Sequence, residues 1–165
     1  MLSTEGSSQM RLAFVHNDSI NANYLFIQEE QKRLDGKSKA SDARIEQVVK
    51  ETEYYDLINY LQNAPEKDIP MAQELVYNAE MRIASVRQEE AEKLSRYQME
   101  HQDELSRRVN AFLDEYCANE GITLLFNYAP GLGNLLYSSE VLDVTKEVVD
   151  GLNRVYLDEQ NSMEK

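Results

Sequence analysis

The chain has 165 residues and carries 30 acids against 17 bases, a formal net charge of −13. That length fits one domain, and the charge excludes nucleic acid as a partner, because phosphate binding needs a basic face. An anionic membrane surface is disfavoured for the same reason, although the charge alone leaves membrane contact open.

Gly and Pro together number nine and Trp is absent, so helix formers dominate over breakers. No stretch reaches the ~20 apolar residues of a membrane span. The opening "MLSTEGSSQ" is polar, without the basic and apolar regions of a signal peptide, so residues 1–10 read as a flexible linker. A removed targeting segment or an upstream lipid anchor is compatible with such a start. The single cysteine, Cys117, allows no intrachain disulfide and no cysteine-based zinc site. Its place in an amphipathic run predicts a buried, inert thiol.

"RLAFVH", Arg11 to His16, is short, apolar and bounded by polar residues, which predicts a buried strand. Asp18 or Ser19 then offers a helix N-cap. From Ile20 a seam steps by four and three through Tyr24, Ile27, Gln31, Leu34, Ser38, Ser41, Ile45, Val48, Thr52 and Tyr55. Its polar members weaken it, and the arms of the hairpin are expected to splay. "NAPEKDIP" ends the first long helix with Pro65 and Pro70, predicting a tip near residues 63–70. A second seam runs Leu75, Ala79, Ile83, Val86, Glu90, Leu94, Tyr97, His101, Leu105, Val109, Phe112 and Tyr116. Asn119 and Gly121 have the character of a helix C-cap. Two helices of 40 to 50 residues, roughly 60–75 Å each, make an antiparallel hairpin over residues 20–120.

"ITLLFNY" and "NLLYS" read as two strands around "APGLG". That break lacks the GK[ST] and the following helix of a phosphate loop, so it reads as a strand corner. "VLDVTKEVVDGLNRVYLDE" predicts a final amphipathic helix with Val144, Val148, Leu152, Val155 and Tyr156 on one stripe, capped by Asp143 or Thr145. The fold class is α+β, with residues 11–19 and 121–160 forming a small β body.

Chemistry-bearing patterns are scarce. His16 and His101 lie on separate elements without metal-ligand spacing, and no nucleophile–base order has a supporting context. No catalytic residue, metal or cofactor is assigned, and the chain is not read as an enzyme. The tyrosines are more informative. Tyr54, Tyr55, Ile58 and Tyr60 near the end of one arm lie opposite Met71, Leu75, Tyr77 and Met81 at the start of the other. Either they pack the tip against itself, or they form an adaptable surface for apolar polypeptide.

The layout of strand, long helix, turn, long helix, two strands and a short helix resembles the OmpH family of periplasmic chaperones, also called Skp. "GITLLFNYAPGLGNLLYSSEVLDVTKEVVDGLNRVY" is similar to the family's C-terminal pattern, with Asp143 and Thr145 at its D-I/V-T, and "RLAFVHNDSI" resembles its first strand. The resemblance implies a homotrimer whose strands complete a shared β body, with Phe14, Val15, Leu124, Phe126, Leu135 and Tyr137 at the trimer contacts. It implies helical tentacles around a cavity that holds unfolded outer-membrane proteins without ATP, in the periplasm or cell envelope, with the tip cluster as the client-binding surface. Its well-known members are basic, whereas three copies of this chain would carry −39, three times the −13 of one. Capture here is therefore expected to lean on apolar contacts or on clients with basic segments. The competing reading is a coiled-coil adaptor or tether that binds one folded partner.

Overall fold

The computed structural model describes residues 10–128 and 138–163. In chain order these form β1 (Leu12–His16), α1 (Asn17–Asn23), α2 (Leu25–Glu51), α3 (Tyr54–Asn63), a 3-10 turn (Glu66–Asp68), α4 (Ile69–Glu120), β2 (Leu124–Tyr128), a second 3-10 turn (Glu140–Leu142) and α5 (Thr145–Met163). The class is α+β. "APGLG" and most of "NLLYS", including Leu135 and Tyr137, lie outside the described residues.

The chain gathers into two compact units, one made of Met1–Glu30 with Gln102–Lys165, the other of Gln31–His101. In the first, β1 and β2 pair in parallel from Leu12 with Leu124 to His16 with Tyr128. On the other side of β1, Asp143 bridges to Phe14, and the Val144 amide donates to the Phe14 carbonyl at 3.0 Å. A core of Val15, Ile20, Tyr24, Phe26, Val148, Val149, Leu152 and Tyr156 lies beneath, joined by half-buried Phe112 and Tyr116 of α4. The body of a single chain therefore has its own apolar core.

Gly121 closes α4. Its φ of 64° is left-handed, the Ile122 amide donates to the Cys117 carbonyl at 2.9 Å and the Gly121 amide to that of Ala118 at 3.4 Å, a Schellman ending. Asn119 is still helical, so Gly121 alone makes the turn. At the other end of the body, helix begins at Asn17, earlier than the Asp18 or Ser19 cap predicts, and His16 holds the cap position without a side-chain bond.

The second unit is an antiparallel helical hairpin. Lys37 Nζ stands 4.5 Å over the Tyr97 ring, Glu51 pairs with Arg82 at 3.2 Å, and the Tyr54 hydroxyl donates to Glu80 at 3.1 Å. As the first partner's number rises the second falls, which is the signature of antiparallel arms. The turn falls between Asn63 and Ile69, where the two prolines put it.

Two features differ from the sequence reading. The outgoing arm is broken twice. Tyr24 takes extended angles between α1 and α2, and Glu53 takes φ 51°, ψ 33° between α2 and α3. The seam is also fuller near the tip than expected. Val48 is buried, and so are Ala72, Val76, Ala79 and Ile83, which follow one another at spacings of four, three and four on α4. Small Ala72 and Ala79 fill the seam without bulk, so Leu75 is left on the outside. Near the tip the seam residues are shielded from solvent.

Candidate functional site

The phase of α4 decides what the tip presents. With 100° per residue, Ala72, Val76, Ala79 and Ile83 occupy one narrow stripe, and Tyr77 and Met81 point the other way. Both are exposed, Tyr77 at 60% and Met81 at 54%, as are Met71 and Leu75 on the flanks. On α3 the half-buried residues are Tyr54, Leu57, Ile58 and Leu61, again one stripe, while Tyr55 at 75% and Tyr60 face solvent. The break at Glu53 sets that phase. An unbroken helix would have put Tyr55 on the seam that Val48 and Thr52 follow. Six of the eight tip residues are thus exposed apolar side chains, and self-packing accounts only for Tyr54 and Ile58.

The Tyr54 hydroxyl is held by Glu80, and that bond raises its pKa, because the donor proton is retained against a carboxylate. Thr52 ends α2 by returning its hydroxyl to the Val48 and Val49 carbonyls at 2.9 and 3.1 Å.

The four described residues expected at subunit contacts divide by strand. Phe14 and Val15 on β1 are buried within the chain itself. Phe14 lies edge-on to His16 and Tyr128, with ring centroids 5.4 and 5.5 Å away. Leu124 and Phe126 on β2 are 47% and 44% exposed, and Leu12, opposite Leu124, is exposed beside them. These residues share one face of the sheet, because pleating turns alternate residues the same way.

The clefts of the body, among the described residues, lack the marks of a reaction centre. The one at His16, Asn23, Asp143, Lys146 and Asn153 holds about 520 Å³ and is open to solvent. The His16 Nε2 lies 3.6 Å from Asp143, and the His16 amide donates to Thr145 Oγ1 at 2.9 Å. Asp143 Oδ1 in turn accepts from the Thr145 amide at 2.8 Å, the cap foreseen from the sequence. These bonds join the end of β1 to the start of α5. Among the described residues, no three His, Cys, Asp or Glu side chains converge as a metal-ligand set. Also among the described residues, no helix is long and apolar enough to cross a membrane. Cys117 is half-buried, and burial together with the nearby Asp114 charge raises its pKa, so the thiol form is favoured.

Sequence reasoning missed a polar assembly in the body. Arg108 binds Glu159 at 2.5 Å and Glu104 at 2.6 Å while its guanidinium lies 4.8 Å over the Phe26 ring. The Tyr156 hydroxyl donates to Glu29 at 2.8 Å. Glu104 is a neighbour one turn away, but nothing local marks Arg108, one of two adjacent arginines in a charged helix, for Phe26 and Glu159, which come from elements far away in sequence. It also missed Val141, at 89% the most exposed large apolar side chain among the described residues. The only signal was an apolar pair, "VL", ahead of the capped helix.

No curated protein sequence matches the chain. The family model described as outer membrane protein, OmpH-like, matches residues 11–152, from the first residue of "RLAFVH" to Leu152 in the core of α5. With β1, the hairpin, β2 and the start of α5 all inside that match, the chain belongs to the OmpH-like family.

Proposed function

We propose that this protein is an ATP-independent holdase of the periplasm that captures unfolded outer-membrane proteins, working as a homotrimer whose hairpins enclose the client. The observation that carries the reading is the composition of the hairpin tip. Its seam is filled by Val48 and by small residues of α4, so the exposed Tyr55, Tyr60, Met71, Tyr77 and Met81 are not needed to hold the arms together. Exposed Tyr and Met at this density bind apolar chain without demanding one shape, which suits a client with no fixed structure. Several such tips in one assembly add weak contacts through effective concentration. The outward face of Leu12, Leu124 and Phe126 supplies apolar surface for the subunit contacts, with Leu135 and Tyr137 following in sequence.

The test is light scattering during dilution of a urea-unfolded outer-membrane β-barrel, without nucleotide. The chain should suppress aggregation at about one trimer per client. Replacing Tyr55, Tyr60, Tyr77 and Met81 by Ser should weaken suppression with helix content unchanged. A tip variant that suppresses equally well would remove the site. Binding of one folded partner in fixed ratio, with no suppression of unfolded barrels, would favour a tether instead.

A further inference from the structure

The acid excess of the hairpin is not evenly spread. Between Lys50 and Arg82 there are seven acids and three bases. Over the rest of the unit, residues 31–49 and 83–101, there are seven acids and eight bases. The negative charge therefore coincides with the exposed apolar tip. Local pairing sharpens the contrast. Lys50 is bound to Glu46 at 2.6 Å and Arg82 to Glu51 at 3.2 Å. Asp56, Glu66 and Glu74 have no ion-pair partner among the described residues and are exposed.

These acids share faces with the apolar side chains. On α4, Glu74 lies three residues before Tyr77 and seven before Met81, all exposed and all on the side away from the seam. On α3, Asp56 lies four residues before Tyr60, both exposed. Each arm turns an aromatic or thioether surface and an uncompensated carboxylate to solvent together. A face of that kind is complementary to an extended polypeptide in which Lys or Arg alternates with aromatic or aliphatic residues. The apolar groups supply the contact and the carboxylates select by charge.

Resting on the holdase reading above, we infer that the tip selects cationic-amphipathic segments of unfolded chains and disfavours equally apolar segments that carry acids. Electrostatics here works as a filter laid over apolar capture. Both charges are exposed, so the filter weakens with salt, while the apolar contacts persist.

The experiment uses the full chain and two labelled 20-residue peptides with the same Leu, Phe and Tyr positions, one carrying four Lys and the other four Glu. Binding is read by fluorescence anisotropy at about 20 mM and about 500 mM NaCl, where the screening length falls from roughly 20 Å to a few ångströms. The basic peptide should bind roughly tenfold more tightly at low salt, and the gap should close at high salt. The triple variant Asp56→Asn, Glu66→Gln, Glu74→Gln should close the gap at low salt without weakening the acidic peptide. Glu74→Lys alone, at an exposed helix-interior position, should narrow it in the same direction. Equal binding of both peptides by the unaltered chain overturns the charge filter and leaves the holdase standing. A gap that survives in both variants overturns its location at the tip. Failure to bind either peptide, together with failure to hold an unfolded barrel, defeats both readings.

Discussion

Gly36 and Gly151 both lie inside helices, yet their surroundings differ. A side chain at Gly36 would enter open space, whereas one at Gly151 would collide with the Phe112 ring. Gly36→Ala should therefore stabilise the chain by about 0.5–1 kcal/mol through helix propensity alone. Gly151→Ala gains the same propensity but must push the Phe112 ring aside, at a cost of about 1–3 kcal/mol, and should leave stability unchanged or lower it. Urea unfolding of the two variants checks the contrast, and a rise for Gly151→Ala comparable to that for Gly36→Ala would contradict the packing. Gly121 and Asp143 were legible in the sequence because caps are local devices, with the ligating group one or two residues from the group it satisfies. Arg108 was not, because Phe26 and Glu159 reach it only through the fold.

Among elements, the two arms of the hairpin contrast. The outgoing arm is segmented, and α4 runs unbroken for 52 residues. Glu53 sits in the left-handed region, where a side chain with a Cβ costs about 1–2 kcal/mol. Glu53→Gly removes that strain and loses some of the gain to the greater freedom of the unfolded chain, so stability should hold or rise by up to ~1 kcal/mol. Glu53→Val should lose ~1–2 kcal/mol, because a β-branched residue tolerates positive φ poorly. Melting followed by helix ellipticity separates the two, and a Gly variant clearly less stable than the parent would show that the Glu53 side chain itself holds the break. The periodicity predicted the seam through Leu34, Ser38, Ser41, Ile45, Val48 and Thr52, all buried or half-buried. It carried the pattern one step too far, to exposed Tyr55. No proline or glycine marks the break. It comes from Thr52 bonding backward while Tyr54, Leu57, Ile58 and Leu61 keep their own stripe. On α4 the small residues won the seam from the larger Leu75, a choice set by how closely two helices approach and invisible in one helix read alone.

For the molecule as a whole, the body core lies within one chain. The proposed assembly then rests on the exposed face of the sheet. Phe126 is 44% exposed in a single chain, so Phe126→Asp removes little from the protomer but would bury a charge wherever that face is covered by another copy. Sedimentation should find the variant monomeric, with helix content near that of the parent, while the parent sediments as three copies. A variant that stays trimeric would place the contact elsewhere. The parallel pairing of the strands was not legible, since nothing local in "RLAFVH" or "ITLLFNY" fixes direction. That pairing bears on how the chain is made. Leu12 finds its partner Leu124 only 112 positions later, and the core above Val15 waits longer still, for Leu152 and Tyr156. A chain delivered N-terminus first must leave Phe14 and Val15 bare until almost all of it has emerged. For that interval the nascent polypeptide is itself a sticky, unfinished passenger, in want of the shelter its finished form is proposed to give.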